Sequence, residues 1–454
     1  MNCRLTPALP CLIGWSRTSA VLLWLTQLLL AQPLLAHDLA NEARLRWETQ
    51  CQIRKEKFDL VLPRAMRDNG IDMWIVMIKE GLQDPLYEDL GRGFTGSKGF
   101  YIFTDRGGER IERSVFGIYG PMLEQCEVYD RIESNYDLRA FIAERDPQKI
   151  GVDISEQLGV ADGLSHSSYT YLVETLGEPY ASRLTSAEKL VSDFRSHRVA
   201  GEIAAFAETA ELTRRIIEKA LSNEVISPGV TTLGDVAWWM QNEILKRGMQ
   251  SRYRMSSVYV TGPSGIEATS NDRIIHRGDL VMSDFGLGHL NFFTDIKRMA
   301  YVLEEGETGP PKAFQEAFRI AEDARRIMKE TIKPGRTARE TLEMLNRKYR
   351  DAGFAIMETF NQPADNDETE IIVATHSVGN LHHGAGPSLA WFNPLQQQWM
   401  IEPTNLFSIE LFVWYPVPQW DGAKVRIPLE DNAVVTDRGV EWLYPVAERI
   451  LLIK

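Results

Sequence analysis

No long basic run occurs anywhere in these 454 residues, and the formal charge is −13. That balance excludes nucleic acid and anionic membrane surfaces as the main partners and leaves peptides or small molecules. Cysteine is scarce, with four in the whole chain. Past residue 36 only Cys51 and Cys126 remain. They can pair, or stay as two buried thiols; sequence gives no Cα separation to decide between the two. Long apolar runs are also missing beyond the N-terminus, so no later segment reads as a membrane span. What is present, 44% hydrophobic and 25% charged residues, is ordinary globular composition, and the length predicts two or three domains.

The N-terminus has its own character. Arg4 and Arg17 precede an apolar stretch from Ala20 to Ala31, followed by Pro33, Leu34, Leu35 and Ala36. That order predicts a signal peptide over residues 1–36 and an exported, periplasmic or secreted product, with a retained anchor as the alternative. The apolar run is too short to span a bilayer comfortably.

An amphipathic helix is expected from Glu42 to Met66, stopped by Asp68-Asn69-Gly70, with a buried strand at Met73–Ile78. Gly99–Phe103 and Arg110–Phe116, joined across Asp105–Gly108, read as a hairpin, and Ile150–Asp153 as another short strand. These elements describe an α/β domain over residues 37–180 in which nothing has metal-ligand spacing. A polar segment, 181–197, is the expected linker to a second domain over 198–454.

That second domain opens with a helix whose apolar face is Ile203, Phe206, Ala210, Ile217 and Leu221, expected to end near Ser227-Pro228-Gly229. Thr231-Thr232 then caps a second helix carrying Val236, Trp239, Met240, Ile244 and Leu245. About a hundred residues later the theme returns. Ala317-Phe318 with Arg325-Arg326-Ile327 echo Ala205-Phe206 with Arg214-Arg215-Ile216, and Pro334-Gly335 with Thr337 echo Pro228-Gly229 with Thr231. The repetition predicts two similar halves with a pocket where their sheets meet.

Acids stand in odd places along these strands. Asp284 ends the apolar run Leu280–Ser283, and Asp295 follows a glycine-containing bend, so a hairpin through Gly286 and Gly288 would set the two acids face to face. Glu410 interrupts Phe407–Val413, and Glu430 sits at an expected strand junction after Val425–Leu429. His376, His382 and His383 lie in a turn after Ile371–Ala374. Buried carboxylates side by side repel unless they share a cation. Four acids and one imidazole form an oxygen-rich set suited to Mn²⁺, Fe²⁺, Co²⁺ or Zn²⁺, with more negative charge than one ion needs.

In order and local context, Asp284, Asp295, His376, Glu410 and Glu430 resemble the five metal ligands of the pita-bread metallopeptidases: methionine aminopeptidase, aminopeptidase P, prolidase and creatinase. The resemblance covers roughly residues 195–450, judged by motif order and the expected domain size. It implies an α/β (α+β) pita-bread fold of two pseudo-two-fold halves behind a smaller creatinase-type α/β domain. It implies two divalent ions, manganese first, with Asp284 on one, His376 and Glu410 on the other, and Asp295 and Glu430 bridging. A water shared by the ions would attack an amide carbonyl, as in Xaa-Pro aminopeptidases and dipeptidases, with Glu410 shuttling a proton and His383 at the scissile carbonyl. A homodimer and a peptide or small-molecule substrate complete the expectation.

The pattern departs from the family in several places. The stretch Gly265–Arg273 has no histidine where the aminopeptidases and creatinase carry one; Glu267 stands nearest, and His276 is too close to Asp279 to substitute. Ile372 occupies the position of a second aminopeptidase P histidine, and Gly384 follows His383 where glutamate is usual. The run His376–His383 is similar to the creatinase segment instead. Two alternatives therefore stand: a creatinase-like C–N hydrolase pairing Glu267 with a cationic compound, or a binding protein that keeps the fold without turnover. The aromatics Trp391, Phe392, Trp399, Phe412, Trp414, Tyr415 and Trp420 are expected to pack the core or a dimer contact before forming a substrate wall.

Overall fold

The computed structural model describes residues 41–251, 255–360 and 363–454; the expected signal segment lies outside them. Residues 41–50 are helical and belong to one compact unit; residues 51–454 form the other. Among the described residues no helix is long and apolar enough to cross a membrane.

Within residues 51–454 the chain builds two large sheets. The first contains β1 (Met73–Ile78), β2 (Phe94–Thr104), β3 (Glu112–Tyr119), β4 (Arg131–Glu133), β5 (Ile150–Val152) and β6 (Leu184–Ser186), in the order β4-β3-β2-β1-β5-β6. Strand β1 is apolar throughout because both its faces are covered. Trp74, Val76 and Ile78 join one core cluster, and Met73, Ile75 and Met77 join another. The helix before it, Leu62–Asp68, stops at Asn69 and Gly70, whose φ of 59° suits glycine. The expected hairpin is present as the antiparallel pair β2–β3. Cys51 and Cys126 are disulfide-bonded, with Cα atoms 5.4 Å apart.

Residues 181–197, expected as a linker, are structured. They hold β6, which pairs with β5 in this sheet, and helix α1 (Glu188–Ser196). Leu190, Val191 and Phe194 of α1 are buried in the same cluster as Trp74. Their spacing of one, three and four is that of a helix face, which the surrounding polar residues hid.

Helices α2 (Ala200–Ala220) and α3 (Leu233–Lys246) recur in kind as α4 (Lys312–Thr331) and α5 (Ala338–Asp351). Each second helix begins with the same reciprocal cap. Thr232 Oγ1 accepts from Asp235 N while Asp235 accepts from Thr232 N; Thr337 and Glu340 repeat the arrangement. The duplication expected from sequence is thus structural. Helix α2 ends at Ala220 rather than near Ser227, because residues 222–231 fold into turns held by Ser222 and Thr231.

The second sheet has eleven strands. They are β7 (Ser257–Gly262), β8 (Gly265–Glu267), β9 (Leu280–Phe285), β10 (Ile296–Val302), β11 (Ala355–Ile356), β12 (Glu370–Val373), β13 (His376–Ser377), β14 (Leu406–Pro416), β15 (Lys424–Thr436), β16 (Gly439–Trp442) and β17 (Leu451–Ile453). The main order is β11-β12-β14-β15-β10-β9-β7-β8, with β13 on β14, β16 on β15 and β17 on β10. Helices α2 and α3 back the β9–β10 half through Val281, Phe285 and Ala300. Helices α4 and α5 back the β14–β15 half through Ile409, Leu411 and Leu429. Because side chains alternate along a strand, the residues between these point away from the helices. That alternation is what exposes the acids to a common space.

Candidate functional site

Register places the site. Asp284 of β9 stands opposite Lys297 of β10, Lys297 opposite Glu430 of β15, and Glu430 opposite Glu410 of β14. Four charged residues therefore form one row across four strands. His376, opposite Ser408, lies two positions along β14 from Glu410, and Asp295 lies two positions before Lys297. A period of two keeps all of them on one face. Two expectations change here. Asp284 does not face Asp295 directly but Lys297, with Asp295 diagonal to it. Glu430 is not at a strand junction but in the middle of a continuous thirteen-residue strand.

The tight turn into this row depends on Gly286. A Cβ there would lie 2.0 Å from Thr294 O and 2.5 Å from His382 Nδ1. The neighbouring His382 is structural, its Nδ1 paired with Thr294 O at 2.6 Å.

All five sequence-identified ligand residues converge. His376, Glu410 and Glu430 place donor atoms within 4.8 Å of one another, as do Asp284, Asp295 and Glu430, and Asp295, His376 and His383. Glu430 is fully buried, and Asp295, His376 and Glu410 nearly so. His376 Nδ1 hydrogen-bonds Ser377 O at 2.9 Å, which directs Nε2 toward the acids. That Nε2 is buried without a hydrogen-bond partner, 3.7 Å from Glu410 Oε2 and 3.8 Å from Glu430 Oε1. Burial, then the nearby His383, pushes the His376 pKa down to about 3, so the ring is neutral. A neutral ring whose proton is on Nδ1 turns a lone pair toward carboxylate oxygens, an arrangement that repels unless a cation lies between. The donor set therefore fits a divalent metal ion.

Lys297 is a central residue of the site that sequence reasoning missed. Its Nζ lies 2.5 Å from Glu410 Oε1, 2.5 Å from Glu430 Oε2 and 3.1 Å from Asp284 Oδ2. Burial would lower the lysine pKa, but attraction from Asp284, Glu410 and Glu430 holds it well above its usual value. Burial likewise raises Asp284, yet Lys297 outweighs it and draws that carboxyl below its usual range. Glu430 is pushed up to about 8 by burial and then by Glu410, while burial and then Glu430 and Asp284 raise Asp295. The signal that could have found Lys297 is its offset of two from Asp295 on a strand. Ser408 was missed too; its hydroxyl donates to Glu430 Oε1 at 2.6 Å and fixes that carboxylate.

The opposite face of the same strands is charged for a different reason. Arg298 and Arg325 both pair with buried Asp431, at 2.8 and 3.0 Å, which ties β10 and α4 to β15.

Above the row is a cavity of about 360 Å³ lined by Asp284, Asp295, Lys297, Glu410 and, at its rim, Phe360, His383 and Phe392. The His383 side chain is 70% exposed, with Nε2 3.8 Å from Asp295 Oδ2 and its ring edge-on to His376. The aromatic expectation divides. Phe392 packs on Phe360 at the cavity, whereas Trp399 is buried with the first sheet's core and Trp414 with Phe412. Glu267 does not line this cavity, and its carboxylate is bound to Arg273 Nε at 2.8 Å.

A curled sheet of two duplicated halves, carrying an acid-and-histidine cluster behind a smaller α/β domain, defines the pita-bread hydrolases. This chain belongs to that class, and specifically to metallopeptidase family M24, whose sequence pattern matches residues 204–437. Among solved structures it is similar to an X-Pro aminopeptidase from Thermotoga maritima, at 19% identity and TM-score 0.62 over 86% of this chain and 99% of that one. It is likewise similar to an Xaa-Pro dipeptidase from Bacillus anthracis, at 20% identity and TM-score 0.61 over 88% and 99%. An Xaa-Pro dipeptidase of Pyrococcus furiosus is 21% identical over 305 residues, 65% of this chain and 76% of the relative. The uncharacterized peptidase YqhT of Bacillus subtilis is 21% identical over 361 residues, 76% of this chain and 88% of that one.

Proposed function

We propose that this chain is a metal-dependent peptidase acting on exported short peptides with proline in the second position. The observation that carries the reading is His376 Nε2, buried and unpartnered, turned toward Glu430 and toward Glu410, the latter a lining residue of the aromatic-rimmed cavity. The names of similar proteins, an X-Pro aminopeptidase and Xaa-Pro dipeptidases, support the substrate class. The disulfide supports export, since such bonds persist in oxidising compartments. A homodimer belongs to the same proposal, and light scattering on the purified chain tests it.

Asp284, Asp295, His376, Glu410 and Glu430 would hold divalent metal, and the oxygen-rich donors favour manganese, with cobalt, zinc and iron as further candidates. When bound, such an ion supplies Lewis-acid activation of water and of the scissile carbonyl. Glu410 takes the water's proton on a carboxyl whose pKa burial raises above its ordinary value. His383, at the rim, donates from Nε2 to the developing oxyanion. Phe360 and Phe392 pack against the proline ring and exclude water from it. The cationic-substrate alternative keeps only its creatinase-like turn as support, because Glu267 is engaged by Arg273 and lies outside the cavity.

The test is a panel of Xaa-Pro dipeptides and Xaa-Pro-Yaa tripeptides against Xaa-Ala controls, with protein loaded with Mn²⁺, Co²⁺ or Zn²⁺. Proline-selective cleavage that disappears on chelation and in Asp295→Ala is expected. Cleavage of no member, with metal bound, would return the chain to the binding-protein alternative.

A further inference from the structure

Lys297 takes one oxygen from each of three acids, and the oxygens it leaves are the informative ones. Its Nζ holds Glu410 Oε1, Glu430 Oε2 and Asp284 Oδ2. Glu410 Oε2 and Glu430 Oε1 are turned the other way, toward His376 Nε2. The cluster is thereby divided into two cation positions, one filled by an ammonium belonging to the chain and one bordered by His376, Glu410, Glu430 and Asp295.

Resting on the metallopeptidase reading above, we propose that Lys297 is a built-in replacement for one of the two divalent ions, so that the site binds a single ion, on the His376 side. Three observations support it. A divalent ion bonds carboxylate oxygen at about 2.0–2.2 Å, so an ion on the Asp284 side would crowd an ammonium already within 2.5–3.1 Å of the same oxygens. Like charges at that separation in a buried site repel strongly. Lys297 also cannot easily withdraw, since it is only 6% exposed and lies in register between Asp284 and Glu430 on both neighbouring strands. The role is positional and electrostatic: Lys297 neutralises Asp284 and orients one oxygen of each glutamate toward the remaining ion.

The experiment uses the full mature chain, stripped with chelator, reloaded with excess Mn²⁺ and desalted, with metal counted by elemental analysis and its environment read by electron paramagnetic resonance. Wild type is expected to hold one Mn²⁺ per chain with the spectrum of an isolated ion. Lys297→Met is expected to hold two, with the altered spectrum of a coupled pair. Two ions in wild type would overturn the proposal while leaving the metallopeptidase reading intact. So would a folded Lys297→Met that still holds one. No bound metal in wild type would sink the metallopeptidase reading itself. Should Lys297→Met fail to fold, the wild-type count and spectrum decide the question alone.

Discussion

Lys297 and Glu430 stand directly opposite each other on neighbouring antiparallel strands, their charged atoms 2.5 Å apart in a fully buried setting. The pair is the centre of a charged row that runs from Asp284 to Glu410. Three buried carboxylates, Asp295, Glu410 and Glu430, and the partly exposed Asp284 share this face of the sheet, and the positive side chain among them offsets part of their mutual repulsion.

Asp295 is the acid that Lys297 does not hold within ion-pair distance. Its substitution should therefore weaken metal binding without breaking the lysine's contacts. Asp295→Ala is expected to lose metal by about tenfold to a hundredfold in affinity, read by titration calorimetry, with little change in the stability of the metal-free protein. Unchanged affinity would remove Asp295 from the ligand set.

His383 separates binding from chemistry. It is exposed at the rim, and the nearest acid oxygen is 3.8 Å away. His383→Ala should retain near-normal metal content while kcat falls about a hundredfold or more, as for loss of an oxyanion donor. Equal rates with Xaa-Pro peptides would make the histidine a bystander.

Much of this was legible in the sequence because an acid inside an apolar strand is chemically conspicuous. Glu410 among Phe407–Val413 and Asp284 after Leu280–Ser283 announced themselves that way. The duplicated helix pairs were legible because turn and cap residues recur. Lys297 was not, since a lysine in Ile296-Lys297-Arg298 resembles a solvated strand face until its cross-strand partners are known. Those partners, Asp284 and Glu430, are set by sheet register, which depends on pairings far apart in sequence. Strand β6 and helix α1 were hidden for a similar reason. Their polar residues satisfy the surface while three apolar ones, Leu190, Val191 and Phe194, reach the first sheet's core.

The disulfide should contribute measurable stability. It joins residues 75 apart, and Arg54 Nη1 lies 3.2 Å from Cys126 Sγ in a largely buried setting. A Cys51→Ser, Cys126→Ser double variant is expected to lose about 2–4 kcal/mol in urea unfolding. Wild type in reductant should approach the variant. Superimposable curves for oxidised and reduced wild type would show that the bond contributes nothing.

Asp84 and Asp153 offer a pH-dependent test in the first sheet's domain. Both are buried, Asp84 Oδ1 accepts from Leu86 N, and Asp153 Oδ1 accepts from Trp74 Nε1. Burial is the main cause that raises Asp84 from its ordinary 3.8 to about 6, and burial followed by the charge of Asp84 raises Asp153 well above its usual range. The folded state therefore keeps a proton that the unfolded chain has released. Stability from Asp84 is complete below pH 3.8, is lost as pH rises through about 6, and stays lost above it. Asp84→Asn removes that titration, keeps an oxygen for Leu86 N and supplies an amide donor for Asp153. Its melting temperature should exceed that of wild type at pH 7, and the difference should shrink toward pH 4. Melting curves that differ equally at both pH values would mean that Asp84 carries no such linkage.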